Sequence, residues 1–119
     1  MVRVLVTVEP RLYREAITIA LQRDRPDAEV MLAPKVILDG QVRDLAPHVL
    51  VRNASGGEFP ERDLASVAVR LEIIYTDHMA ARVTLGGHSY TIEDASMDDL
   101  LSLVDEAEAL IERDEGPTI

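Results

Sequence analysis

The chain has 119 residues, 47% of them hydrophobic, with three Tyr, one Phe, no Trp and no Cys. That suffices for one core and is too little for two, and the absence of cysteine excludes disulfides, thiolate metal sites and cysteine nucleophiles. The net charge is −10, with ten acids and a single base, Arg113, in residues 93–119, which leaves no basic stripe for a phosphate backbone and argues against nucleic-acid binding.

Residues 1–92 are nearly balanced, with 12 acids and 11 bases. The acidic end reads first as a solvated helix face and second as a surface for a basic partner. No stretch approaches the roughly 18 apolar residues of a membrane span. Met1-Val2-Arg3-Val4 runs straight into a strand pattern rather than a signal peptide. A cytoplasmic location and no membrane contact are expected.

Val2–Val8 (VRVLVTV) reads as a first buried strand ending at Glu9-Pro10. Pro10 suits the first turn of a helix. Leu12, Ala16, Ile17, Ala20 and Leu21 then recur at helical spacing to about Arg23, and Arg25-Pro26-Asp27 breaks the pattern. Glu29–Ala33 is a second short strand. In residues 34–46, Pro34 opens the segment and Asp39-Gly40 interrupts it, and Gln41–Leu45 suits one or two helical turns. Val49-Leu50-Val51 is an unbroken apolar run between Pro47-His48 and Arg52-Asn53, the pattern of a strand covered on both faces.

Phe59-Pro60-Glu61 introduces a short helix to about Ala68, with Leu64 and Val67 as its apolar contacts, and Val69–Thr76 is a fourth strand. Two readings remain for residues 77–92. In one, Arg82–Leu85 and His88–Ile92 form a hairpin around Gly86-Gly87. In the other, Asp77–Leu85 is a helix and Ser89–Ile92 a fifth parallel strand. The β-favouring Val83, Thr84, Tyr90, Thr91 and Ile92 put the hairpin ahead. Ser96 is placed to cap a last helix, with Asp99 at capping-box spacing and Leu100, Leu101, Leu103, Val104, Ala107, Leu110 and Ile111 as its apolar stripe. Gly116-Pro117 ends it, giving one domain over 1–115 and a tail at 116–119.

Strand, helix, strand, helix, strand, with the first strand central, suggests a flavodoxin-like doubly wound sheet, whose chemistry sits at the carboxyl ends of the strands. Val2-Arg3-Val4-Leu5-Val6 followed by Leu12-Tyr13-Arg14-Glu15-Ala16 resembles the opening of two-component response-regulator receiver domains, especially those joined to helix-turn-helix output domains. Pro47-His48-Val49-Leu50-Val51 looks like the strand carrying their phosphorylated aspartate, and Gly86 to Ser96 is similar to their last strand and the start of their last helix. The resemblance implies a flavodoxin-like (receiver-like), mainly parallel five-stranded sheet with shortened middle helices and, on the favoured reading, a C-terminal β-hairpin.

Receiver chemistry uses a nucleophilic aspartate, an acid pair that helps it hold Mg²⁺, a switch hydroxyl and a lysine. By resemblance the acid pair falls on Val8 and Glu9, the nucleophile on Asn53, the hydroxyl on Tyr75 or Thr76 and the lysine on Glu93. An amide cannot form an acyl phosphate, one metal ligand is lost and the lysine charge is reversed. The implied protein is a degenerate, or pseudo-, receiver: no enzyme, with no metal or other cofactor.

Each candidate also has a plainer reading. Asn53 suits a fixed hydrogen-bonded loop or an ordinary turn. Glu9 and Glu93 could share a cation or pair with Arg52, or be two solvated acids. Arg52, at the end of a buried strand, needs a partner. Ser55-Gly56-Gly57 could offer backbone amides to an anion, against the repulsion of the surrounding acids. His48, His78 and His88 have no metal-ligand spacing. Two functions are therefore expected. The favoured one is a stand-alone, non-catalytic signalling or interaction module working through a protein partner or as a homodimer. The other is a small-ligand- or metal-binding protein or enzyme using Glu9, Asn53, Thr76, Asp77 and Glu93.

Overall fold

A computed structural model of the chain describes residues 2–33, 44–54, 67–75, 79–85 and 87–114. In chain order they form β1 (Arg3–Val6), α1 (Arg11–Asp24), β2 (Glu29–Leu32), β3 (Val49–Asn53), β4 (Val69–Tyr75), β5 (Met79–Leu85), β6 (His88–Ile92) and α2 (Met97–Asp114). The strands make one mixed sheet in the order β2-β1-β3-β4-β5-β6. The first four are mutually parallel, and β5 lies antiparallel between β4 and β6. The short helix expected from residue 59, the segment 34–43 and the tail lie outside the described residues.

The parallel part follows from the apolar runs. Val4, Leu5, Val6, Val49, Leu50 and Val51 are all fully buried, so β1 and β3 are covered on both faces. Alternation sends Val4, Val6, Val49, Val51, Val69 and Leu71 to one face, where they pack with Leu21, Leu100, Leu103, Val104 and Ala107 of the two helices. Leu5 and Leu50 point the other way and gather Met31, Ala33 and Val67 into a smaller cluster. Burying each of these leucines contributes about 1.5–3 kcal/mol.

The sheet has six strands where five were expected, and one of them is antiparallel. The hairpin reading of residues 82–92 holds, with Leu85 opposite His88, and Gly87 at φ +88 takes the left-handed conformation that side chains disfavour. The alternative helix over 77–85 is overturned, because Met79–Leu85 pairs along the whole of β4. Met79-Ala80-Ala81 looks helix-compatible in isolation. Ala80 and Ala81 are small enough to be buried in the sheet opposite Ile74 and Ile73.

Helix α2 shows the Asp99 half of the expected capping box. Asp99 Oδ2 accepts from the Ser96 backbone N–H at 2.8 Å and from the Ser96 hydroxyl at 3.2 Å. Leu100, Leu101, Leu103, Val104 and Ala107 are buried, and Leu110 and Ile111 are half-buried.

Helix α1 is rotated from its expected setting. Leu12 is 71% exposed and Ile19 63%, while Thr18 and Leu21 are buried. Thr18 tolerates burial because its hydroxyl donates to Arg14 O at 2.8 Å. Arg14 of the same helix turns inward to an ion pair with Glu9. Pro10 sits one place earlier than expected, at the N-cap, with its carbonyl accepting from the N–H groups of Tyr13 and Arg14. Neither described helix is long and apolar enough to cross a membrane.

Candidate functional site

The carboxyl ends of β1 and β3 bring Glu9, Asn53 and Arg14 together. Asn53 closes β3 at a buried position, so its amide needs partners. It finds both on one residue: Oδ1 accepts from Glu9 N–H at 2.7 Å, and Nδ2 donates to Glu9 O at 3.1 Å. This clamp ties the loop after β1 to the end of β3, above the Thr7 N–H donating to Val51 O at 2.9 Å. The Glu9 carboxylate turns aside and accepts from Arg14 Nη1 at 2.9 Å. Arg14 is largely buried, with only 12% of its side chain exposed.

Chemically this is a plug. A carboxamide is not a nucleophile toward phosphate, this one is held to main chain through its oxygen and one N–H, and Glu9 is already charge-compensated. No group of three His, Asp or Glu among the described residues is arranged to hold a metal ion. Arg52 leaves β3 on the opposite face from Asn53, is 5% exposed, and donates from Nε to Asn53 O at 3.3 Å. Its sheet neighbour in β4 is Glu72, which is ion-paired with Arg82 of β5 at 3.2 Å. Glu93 lies exposed in the turn after β6, next to Asp94 at φ 52. Ser55, Thr76, Asp77 and His78 lie outside the described residues.

The other histidines are structural or peripheral. His48 Nδ1 accepts from Arg3 N–H at 2.9 Å, at the amino edge of the sheet, and His88 is exposed at the hairpin. The carboxyls held below their ordinary range are also remote from the strand carboxyl ends. Asp24 is lowered by its hydrogen bond to Arg23, and Asp105 by its hydrogen bond to Arg25.

A second feature at the carboxyl edge was not foreseen. The Arg25 guanidinium pins α1 to α2 through two 2.8 Å bonds to the Asp105 carboxylate. Toward the other ends of the helices, Tyr13 and Ile17 of α1 face Met97 and Leu100 of α2 across a cavity of about 230 Å³, floored by Ile73 and Met79. Its walls are almost wholly apolar, so it is unrelated to the acids expected to form a site.

Arg14 is the site residue that sequence reasoning missed. Its only signal was a five-residue spacing from Glu9 across a proline. Comparison of the chain with protein-family models, with curated proteins and with solved structures gives no match in any of the three.

Proposed function

We propose that this protein is a non-catalytic interaction module, a receiver-like α/β domain whose phosphoacceptor position is occupied by Asn53. The observation that carries this reading is the Asn53 clamp: the position a receiver would keep open for phosphate is filled by two hydrogen bonds to the Glu9 main chain. Four parallel strands in the order β2-β1-β3-β4, with α1 and α2 packed on one face, are consistent with a flavodoxin-like ancestry. The antiparallel β5 departs from it. A ligand site built on Glu9, Asn53 and Glu93 draws no support from this geometry.

The contact surface best suited to such a module is the outer edge of β6. Among the described residues it is hydrogen-bonded on one side only, to β5, and it contains no proline, lysine or other charged residue to discourage pairing. Antiparallel pairing with a second copy centred on Tyr90 would set Ser89 against Thr91 and His88 against Ile92, with no like charges opposed inside the strand.

Two measurements test the reading. Mg²⁺ with acetyl phosphate should produce neither a phosphorylated species by mass spectrometry nor a thermal shift, and either one would refute it. Light scattering should show concentration-dependent self-association that Thr91→Lys abolishes. A strictly monomeric protein would remove the self-pairing surface while leaving the lost phosphotransfer intact.

A further inference from the structure

We propose that the wedge between α1 and α2 binds an uncharged aromatic ring of about indole size. This goes beyond the interaction-module reading and does not rest on it. The cavity measures about 230 Å³. A dry apolar cavity of roughly 150 Å³ accommodates benzene, so the wedge has room for one ring or two fused rings. The Arg25–Asp105 pair joins the two helices at the far end of α1.

The lining specifies the chemistry. Ile17, Leu71, Ile73 and Leu100 supply hydrocarbon, and among the described residues no charged side chain lines the cavity. A charged ligand would therefore lose its water without finding a counter-charge, and an anion would also meet a chain of net charge −10. Among the described residues, Ser96 and Tyr13 bring hydroxyls to the walls, and that of Ser96 already donates to Asp99. Polar substituents gain little there.

Two of the four methionines of the chain, Met79 and Met97, line this cavity. Thioethers adapt to irregular guests and make favourable contacts with aromatic ring edges. Tyr13 adds an aromatic wall suited to offset or edge-to-face packing. Tyr13 is 43% exposed and Met79 42%, so a ring reaches the floor from solvent without displacing a strand.

The test uses the full chain labelled with ¹³C at the methionine methyls, titrated with indole, with indole-3-carboxylate and with cyclohexanol. Saturable ring-current shifts with indole are expected at Met79 and Met97, and none at Met31, which packs with Leu5 and Leu50 on the opposite face. The carboxylate and the saturated ring should bind at least about tenfold more weakly. Ala81→Leu, which builds into the cavity from its floor, should abolish saturation. Ala16→Phe does the same from the exposed α1 wall and serves should the first variant not fold. Absence of saturable shifts at Met79 and Met97 would overturn the proposal. So would comparable shifts at Met31, equal affinity for either control compound, or indole binding that survives in a folded filled variant.

Discussion

Strands β3 and β6 each have five residues, yet every residue of β3 is buried, whereas four in β6 are exposed and Ile92 is half-buried. The difference lies in their sequences and in their places. Val49-Leu50-Val51 offers hydrocarbon to both faces and sits between β1 and β4, where both faces have something to bury it against. His88-Ser89-Tyr90-Thr91-Ile92 offers little to bury and ends the sheet. The parallel strands therefore carry the core, and the antiparallel pair widens it and exposes an edge. The same contrast extends to polar contacts: the Asn53 clamp hangs on a buried side chain, whereas both side chains of the Arg25–Asp105 pair are part-exposed.

The largest effect expected from this contrast comes from truncating the buried strand. Leu50→Ala removes a fully buried side chain whose neighbours include Leu5 and Met31, and should cost about 2–5 kcal/mol in urea unfolding. Thr91→Ala in β6 should change stability by less than about 0.5 kcal/mol. Comparable losses at the two positions would break the distinction.

Asn53→Asp comes next. It places a carboxylate at the proposed phosphoacceptor position, but a carboxylate cannot donate to Glu9 O and brings a second negative charge beside Glu9. We expect a loss of about 1–3 kcal/mol and still no acyl phosphate. Efficient phosphorylation of that variant would mean that Asn53 alone, rather than the altered surroundings, blocks the chemistry.

What could be read from sequence divides along the same line. β3 and the cap of α2 were legible because their signals are local, an apolar run in one case and Ser96-x-x-Asp99 in the other. The setting of α1 was not, because the inward turn of Arg14 toward Glu9 and the burial of Thr18 are tertiary outcomes that a hydropathy pattern does not carry. A period-3.6 pattern favoured Leu12 for the core over Thr18, whose hydroxyl is satisfied by its own helix. The start of β5 was hidden by alanines that are good helix formers. The wedge was invisible, since the setting of its two helical walls involves an ion pair between residues 80 apart in the chain. At the candidate site the resemblance pointed to Asn53, and only the structure revealed that its amide bonds the Glu9 main chain through both its oxygen and its nitrogen.

A smaller effect is expected at the α2 cap. Asp99→Ala leaves the Ser96 N–H without its carboxylate and removes an anion from the first turn, where the helix dipole favours it. The expected loss is about 0.5–1 kcal/mol, read from the urea midpoint. A loss as large as that of Leu50→Ala would place α2 docking, rather than capping alone, under the control of Asp99.

The Arg25–Asp105 pair should give the smallest effect and the one with a pH signature. Hydrogen bonding to Arg25 holds the Asp105 carboxyl below its ordinary value of 3.8. A carboxyl with a lower pKa in the folded than in the unfolded chain adds stability that is complete above the unfolded value and disappears as pH falls through the folded one. Asp105→Asn should therefore lower Tm slightly at neutral pH, and the difference from the unmodified protein should close in acid. Half of the Asp105 side chain is exposed, at 52%, so added salt should also shrink the difference. Removing an acid from a chain of net charge −10 relieves repulsion in its own right. Glu112→Gln, at an exposed position of the same helix, measures that relief separately. If the two variants follow the same course with pH, the pair contributes nothing specific, and the joining of the two helices rests on apolar packing alone.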